Sequence, residues 1–438
     1  MSGGIIIAAP ASGSGKTVLT LGILCHLKRS GHRIVSAKTG PDYIDPSYHA
    51  AASGAPCLNL DPWAMRRGTI AGLATQLERD GEHVLCEGVM GLFDGAGLAG
   101  VGSTAELAAL TGWPVVLVVD AHGQAGSAAA LVRGFASHRS DVTLAGVIFN
   151  RVGGARHRAM LEAALARALP AMRVFGAVPR HDALVLPERH LGLVPASEHR
   201  ALSDFLERAA DHVAGHIDVA ALREHARPTT LAAGMERVRP LPPLGRHIAV
   251  ARDAAFAFIY PTTLAGWRED GATLSFFSPL ADEPPATDAD AIYLPGGYPE
   301  LHAGRIAGNS TFLAGLRAAA MRGVAIYGEC GGYMVLGEAL IDAGGERHAM
   351  AGLLPLVTSF AARRPHLGYR AMTLAADAPL GRAGTAYRGH EFHYASIVSE
   401  GDAAPLFEAE DADGAPLGRI GLRAGTVMGS FLHLVDQA

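Results

Sequence analysis

Pro10-Ala-Ser-Gly-Ser-Gly-Lys-Thr17 follows an apolar run over 4–9 (GIIIAA) and precedes 17–29, where Leu19, Ile23, Leu24 and Leu27 recur at helical spacing. Strand, Gly/Ser-rich turn and helix in that order are the setting of a phosphate-binding loop. In it the backbone N–H groups of Gly13, Ser14, Gly15 and Lys16 face phosphate oxygens at a helix N-terminus. The Lys16 ammonium is expected to bridge the β- and γ-phosphates of a nucleotide, and the Thr17 hydroxyl to bind Mg²⁺. The stretch departs from GxxxxGK[ST] only at its first position, where Pro10 stands for Gly. A chance Gly-rich turn is the bland alternative, and the flanking strand and helix argue against it.

Outward from this loop, 33–38, 83–87, 115–120, 144–150 and 174–177 read as further buried strands separated by Ala-rich helices. Such alternation predicts an α/β fold with a parallel sheet covered on both faces. The first domain is expected over 1–195. Residues 196–245 change character: 203–226 reads as one or two helices, and Pro228, Pro240, Pro242 and Pro243 mark a linker. A second α/β domain follows over 246–438. Its strands are expected at 247–251, 273–277, 291–294 and 324–327, its helices near 260–269 and 309–322, and β signals at 389–398 and 426–434.

Composition bounds the function classes. The 438 residues exceed one typical domain of ~100–200. Hydrophobic residues at 49% and charged residues at 18% describe a globular chain and exclude a disordered one. A net charge of −5 gives no basic excess for a nucleic-acid partner. Cys25, Cys57, Cys86 and Cys330 lie too far apart in sequence for a disulfide framework or a CxxC metal pair. No apolar run reaches the ~18–20 residues of a membrane span, and a strand starting at residue 4 leaves no room for a signal peptide. The expectation is a cytoplasmic enzyme with no membrane partner. Of 37 Lys and Arg residues only Lys16, Lys28 and Lys38 are lysine, and two of these sit in motifs that call for a point charge.

Lys38-Thr-Gly-Pro-Asp-Tyr-Ile-Asp-Pro46 ends the second strand, at the sheet edge where ligands of open α/β sheets bind. Asp42 and Asp45 supply two carboxylates there, for Mg²⁺ or for a substrate; Gly-Pro-Asp and Asp-Pro also read simply as a turn. Glu87-Gly-Val-Met-Gly-Leu-Phe-Asp94 places Glu87 where a metal-holding acid follows a strand, and Asp94 after a Gly-rich turn. Asn150 ends another strand, where its amide either reads an adenine edge or is an ordinary strand-end residue.

In the second domain, 324–327 runs into Gly328-Glu-Cys-Gly-Gly-Tyr333 and a helix-like 334–340. This is a nucleophile elbow with Cys330 at its tip, and a helix N-terminus is expected to lower the thiol pKa. Cys25, Cys57 and Cys86 read as buried structural thiols. His433, after a terminal strand, is the candidate base. The cluster Gly389-His-Glu-Phe-His-Tyr394 is its rival, either as base or as a metal pair. Leu294-Pro-Gly-Gly-Tyr-Pro299 is a second Gly turn, and its Gly297 N–H with that of Gly331 makes a candidate oxyanion hole.

Taken in order, APASGSGKT, KTGPDYIDP, EGVMGLFDG, LPERHLGL, LPGGYPE, GECGGY, GHEFHY and SFLH resemble the corrinoid a,c-diamide synthases over nearly the whole chain. The resemblance implies a dethiobiotin-synthetase-like ATP domain joined to a class I glutamine amidotransferase domain, with ATP and L-glutamine as co-substrates and Mg²⁺ as cofactor. It implies amidation of the a- and c-carboxylates of a corrin, with a homodimer as the expected assembly. The opening motif is most similar to the aerobic branch, which uses metal-free hydrogenobyrinic acid; the anaerobic branch uses cobyrinic acid. It further implies that Cys330 is the nucleophile and His433 its base. Lys16, Thr17, Lys38 and Glu87 serve nucleotide and Mg²⁺, with Asp42 as a further metal candidate. Asp42, Tyr43, Ile44, Asp45 and Asp94 serve carboxylate activation and the order of amidation. Class I amidotransferases carry Glu two residues after the His, and here that position is Val435; Asp436 is one position off.

The implied chemistry is phosphorylation of an inert carboxylate, glutamine hydrolysis through a Cys330 thioester, and capture of the acyl phosphate by ammonia before water reaches it. Two rivals stay open. A cobyric acid synthase-like enzyme amidates other carboxylates of the same ring, against which KTGPDYIDP and the compact length argue. A nucleotide-dependent regulatory or partitioning ATPase has no use for the Cys330 elbow.

Overall fold

The computed structural model describes residues 2–189, 192–232 and 238–438. The chain divides into two compact units, Met1–Trp63 with Arg67–Val238, and Ala64–Arg66 with Arg239–Ala438.

In the first unit β1 (Gly3–Ala8), β2 (Ile34–Thr39), β3 (Cys57–Leu60), β4 (His83–Glu87), β5 (Val115–Asp120), β6 (Leu144–Val152) and β7 (Arg173–Pro179) form one sheet in the order β3-β2-β4-β1-β5-β6-β7. Every neighbouring pair is parallel. β1 and β2 are buried at every position, because helices cover both faces and leave no solvent side to alternate toward. These helices are α1 (Lys16–Arg29), α2 (Asp45–Ser53), α3 (Arg67–Asp80), α4 (Thr104–Thr111), α5 (Ser127–His138) and α6 (Ala155–Ala168). β1 lies at the middle of the sheet, so the loop after it opens beside the carboxyl ends of β4 and β5.

α7 (Leu202–His216) and α8 (Val219–Glu224) come from the stretch expected to stand apart, yet they pack with this unit. The backbones of α1 and α7 touch at Gly22, where a Cβ would lie 2.7 Å from the Ala209 carbonyl. Arg29 clamps the same pair of helices by donating to Glu207 and Asp211, each at 2.7 Å. A short hairpin joins β8 (Glu188–Arg189) to β9 (Gly192–Leu193). His190 and Leu191 of the LPERHLGL motif, and 233–237 of the expected linker, lie outside the described residues.

β3 and α2 are additions to the sequence reading. Asp45-Pro46 begins a helix rather than continuing a loop, with Pro in the first turn where its missing N–H costs nothing.

The second unit carries β10 (His247–Ala251), α9 (Pro261–Glu269), β11 (Thr273–Phe277), β12 (Ala291–Leu294), α10 (Ala303–Gly308), α11 (Ser310–Met321), β13 (Ala325–Glu329) and α12 (Gly331–Leu336). A small sheet of β14 (Ala339–Ile341), β15 (Arg347–Ala349), β16 (Leu356–Ser359) and β19 (Ser396–Glu400) stands beside the main one. The main sheet adds β17 (His366–Leu374), β18 (Ala386–His393), β20 (Ala404–Glu410), β21 (Pro416–Ala424), β22 (Val427–Ser430) and β23 (Leu432–Gln437). Its order is β11-β10-β12-β13-β22-β21-β20-β17-β18-β23, parallel from β11 to β22 and antiparallel beyond.

Alternation splits its core in two. Ala249, Ile292 and Ile326 face one cluster with Phe256, Phe312 and Cys330. Val250, Tyr293 and Tyr327 face the other with Trp267, Phe407 and Leu432. The helix after the elbow is shorter than expected: it occupies Gly331–Leu336, and 339–341 is already strand. Among the described residues no helix is long and apolar enough to cross a membrane.

Candidate active site

In the first unit the loop after β1 takes left-handed backbone at Gly13 (φ +76°) and Gly15 (φ +90°), the second of which opens α1. Gly15 also lets Asn150 approach: a Cβ there would lie 2.2 Å from the Asn150 amide nitrogen. That nitrogen donates to the Ser14 carbonyl at 2.9 Å. Asn150 therefore braces the phosphate loop, and its nitrogen is not directed at an adenine edge. Asn150 and Gly15 also line a cleft of ≈ 400 Å³ with Arg151, Pro179, His181 and Leu184. Arg151 donates to the Gly13 carbonyl at 2.8 Å and pairs with Asp120.

Lys16 is buried and donates to the Met90 carbonyl at 2.7 Å, which brings the loop after β4 against the loop after β1. Burial lowers its pKa, Lys38 pushes the same way, and Glu87, Asp45 and Asp94 partly offset both. The carboxyl ends of β2 and β4 complete the site. Thr17 donates to Glu87 Oε1 at 2.6 Å. Lys38 donates to the same oxygen at 3.0 Å and to Asp45 Oδ2 at 2.5 Å. Nε2 of His49 lies 2.6 Å from Glu87 Oε2, and its Nδ1 lies 3.6 Å from Cys57 Sγ.

Glu87 and His49 are fully buried, so none of these charges survives without its partners. Burial works against ionised Glu87, but Lys38, His49 and Thr17 hold it well below the usual carboxylate range. Burial also opposes charged Lys38 and is outweighed by Asp45, Glu87 and Asp42, which raise it. His49 rises to about 10, against burial, through Cys57 and Glu87.

The remaining predicted residues stand around this cluster. Asp42 is not hydrogen-bonded into it: its Oδ1 accepts the N–H groups of Ile44 (2.7 Å) and Asp45 (3.0 Å), shaping the entry to α2. Burial and the Asp45 charge push Asp42 up to about 6. Asp45 is the carboxylate tied to Glu87 through Lys38, reversing the expected ranking of the two aspartates about the metal acid. Ile44 is buried with Gly192 as a neighbour, and Tyr43 is half-buried. Asp94 folds back onto its own turn, accepting the Gly91 N–H at 2.8 Å.

In the second unit Cys330 has φ +46° and ψ −100°, a conformation that a non-glycine residue adopts only under constraint. Its N–H donates to the Ser430 carbonyl at 2.8 Å, tying the elbow to the end of β22. Glycines make room on every side. A Cβ on Gly332 would lie 2.0 Å from the Leu294 carbonyl, and one on Gly331 would lie 3.1 Å from the Gly297 nitrogen. One on Gly296 would lie 2.5 Å from His433 Cε1. The two Gly turns and His433 thus converge on the elbow.

The thiol pKa is raised, contrary to expectation. Burial dominates, the Glu300, Glu329 and Glu391 charges add to it, and the Gly331 N–H opposes them. A buried thiol of this kind needs a base at hand. His433 is buried, with its Nδ1 3.6 Å from Glu329 Oε2.

Within the Gly389–Tyr394 cluster His390 and His393 bond apart, whereas the alternate residues Glu391 and His393 bring their ligand atoms close to one another and to His366. His390 stacks on His433, with centroids at 4.9 Å, and Tyr260 meets its Nε2 at 3.0 Å. His393 meets Glu391 Oε1 at 2.9 Å, while Arg370 donates to Glu391 Oε2 at 2.9 and 2.7 Å. Asp436 accepts from the Arg66 guanidinium (2.6 Å) and backbone N–H (2.9 Å), Arg66 being part of this unit.

Residues 5–194 match the family described as CobQ/CobB/MinD/ParA nucleotide binding domain, and 247–437 match the CobB/CobQ-like glutamine amidotransferase domain. A protein of Brucella suis biovar 1 named hydrogenobyrinate a,c-diamide synthase is 58% identical over 439 residues, covering 99% of this chain and 98% of the relative. The chain belongs to the hydrogenobyrinate a,c-diamide synthase family. Relatives of the same name from Rhizobium meliloti (55% identical, 99% of both chains) and Rhodobacter capsulatus (53%, 99% and 98%) match equally completely.

For a synthase of this family, sequence reasoning missed His49, Tyr293, Tyr327 and Glu329. His49 stands one helical turn after Asp45, an i,i+4 pair that shows only once α2 is recognised. Tyr327 and Glu329 are two apart on one strand and so share a face, and only the strand pairing shows that this face meets Tyr293.

Proposed function

We propose that this chain catalyses the ATP- and glutamine-dependent amidation of the a- and c-carboxylates of hydrogenobyrinic acid through acyl phosphates. The observation that carries the reading is that one chain holds both a phosphate loop backed by the buried Lys38–Glu87 pair and a cysteine elbow beside a buried histidine. The first fits phosphoryl transfer and the second fits release of ammonia from glutamine.

In the first unit a corrin carboxylate oxygen attacks the γ-phosphorus of ATP, and ADP leaves. The N–H groups of Gly13, Ser14, Gly15 and Lys16 cradle the phosphates, and the Lys16 ammonium turns from the Met90 carbonyl toward the transferring group. Thr17 and Glu87 place two hard oxygens together, a donor set that fits Mg²⁺, which would supply charge neutralisation at the β- and γ-phosphates. Asp45, fixed by Lys38, orients the substrate side of the site, with Asp42, Tyr43, Ile44 and Asp94 shaping the loops around it.

In the second unit His433 takes the Cys330 proton, and the thiolate attacks the glutamine amide. The N–H groups of Gly297 and Gly331 hold the oxyanion, the His433 imidazolium gives its proton to the amide nitrogen so that ammonia leaves, and water, deprotonated by His433, frees glutamate from the thioester and regenerates the thiol. Ammonia then displaces phosphate from the acyl phosphate and forms the amide.

The purified protein, given hydrogenobyrinic acid, glutamine and ATP, is expected to yield a product with two amides by mass spectrometry. The carboxyl-¹⁸O substrate should leave label in the released phosphate. Turnover of cobyrinic acid alone would reassign the substrate, and unlabelled phosphate would refute the acyl phosphate.

A further inference from the structure

The strand that carries His433 offers no acid where amidotransferases of this class are expected to have one: Val435 holds that position, and Asp436 is bound to Arg66. We propose that Glu329, the residue immediately before the nucleophile, is the carboxylate that positions His433. This rests on the assignment of Cys330 and His433 as nucleophile and base.

Three observations build the case. Glu329 is 2% exposed and His433 is 1% exposed, so an acid and an imidazole face one another away from water. Their contact runs from Glu329 Oε2 to Nδ1 at 3.6 Å, slightly beyond a hydrogen bond, as catalytic contacts often are in the absence of substrate. Nδ1 is also the correct nitrogen, since it leaves Nε2 to take the thiol proton.

The carboxylate is fixed by three donors. Tyr293 donates to Oε2 at 2.8 Å, Tyr327 to Oε1 at 3.1 Å, and the N–H of Leu434 to Oε1 at 3.2 Å. The last comes from the residue next to His433 and sets the carboxylate and the imidazole in register. Tyr293 and Tyr327 are direct partners across β12 and β13, with stacked rings, and Glu329 follows two residues later on the same face. The face of His433 is covered by His390, stacked at an interplanar angle of 12°. The ring is thus held from the Nδ1 edge and from one face.

A carboxylate at Nδ1 selects the tautomer that accepts the thiol proton and stabilises the imidazolium that results. Because a thiol is more acidic than a hydroxyl, its loss should cost less than the ~10⁴-fold seen for the asparagine variant of a serine triad.

The test uses the full-length protein and two assays, glutamine hydrolysis and amidation with ammonium. Glu329→Gln is expected to lower glutaminase kcat about 10- to 100-fold, with KM for glutamine and ammonium-dependent amidation both within about two-fold of the parent. Glu329→Asp should recover part of the loss. Glutaminase within two-fold of the parent would overturn the proposal. So would an equal loss in both assays, which assigns Glu329 to the scaffold. If the Gln variant is insoluble, the pair Tyr293→Phe and Tyr327→Phe releases the carboxylate instead, and full glutaminase there overturns the proposal equally. Cys330→Ser is measured in parallel: retained glutaminase in it refutes the underlying site, whereas its loss beside an unaffected Glu329→Gln refutes Glu329 alone.

Discussion

In the first unit Lys38, Asp45, His49 and Glu87 are buried in mutual contact, whereas the elbow of the second unit sets a thiol of raised pKa on a left-handed backbone. One site is organised by charge and the other by shape. Buried charges hold each other in place, and removing one leaves its partner unpaired at a cost of about 3–5 kcal/mol. The elbow stores its constraint in the chain, released by no single side chain but shared among the Gly turns around it. The thiol should therefore be exchangeable without harm to the fold, while Glu87, fully buried at the centre of the charged cluster, should not.

Cys330→Ser gives the largest expected effect: at least ~10³-fold loss of glutamine-dependent amidation, with ammonium-dependent amidation preserved. If ammonium fails to support the variant, the two sites are not separable. Lys16→Ala should remove ~10²–10³-fold of amidation with either nitrogen donor and leave basal glutamine hydrolysis in place, checked by glutamate release. Full ammonium-dependent turnover would contradict the phosphate-loop assignment.

Asp45→Asn takes away the carboxylate charge but keeps an oxygen for Lys38, which also retains Glu87, and this predicts an amidation rate about 10-fold lower with glutaminase unchanged. Monoamide should accumulate, because two amidations share a weakened site; a time course of both products checks this, and parallel loss of glutaminase would point to folding. Gly332→Ala is the smallest test. Its Cβ meets the Leu294 carbonyl, so chemical denaturation should reveal a loss of about 1–3 kcal/mol, and none if the elbow is less tightly packed than described.

What the sequence disclosed depended on how local each feature is. The phosphate loop, its strand and its helix are contiguous, and so was their reading; the elbow at Cys330 likewise declares itself within a few residues. α2 was hidden because Gly-Pro-Asp and Asp-Pro signal turns, and a proline at a helix start uses the same letters. β3 is four residues long and too short to carry a period. The thiol pKa is raised instead of lowered because burial and nearby acids outweigh a six-residue helix, and neither is legible in a local stretch of sequence. Glu329 meets His433 through pairing of β13 with β22 and of β18 with β23, and the Leu434 N–H reaches Glu329 across 105 residues of sequence, a separation that no local pattern contains.

The division of labour between the two units is tested most directly by isotope. The protein is given hydrogenobyrinic acid, ATP and amide-¹⁵N glutamine together with unlabelled ammonium, and the amides are read by mass spectrometry for the parent and for Cys330→Ser. The parent is expected to place ¹⁵N in both amides, and the variant to form the same diamide without label. Label in the variant's product, or no amide from it at all, would contradict the account.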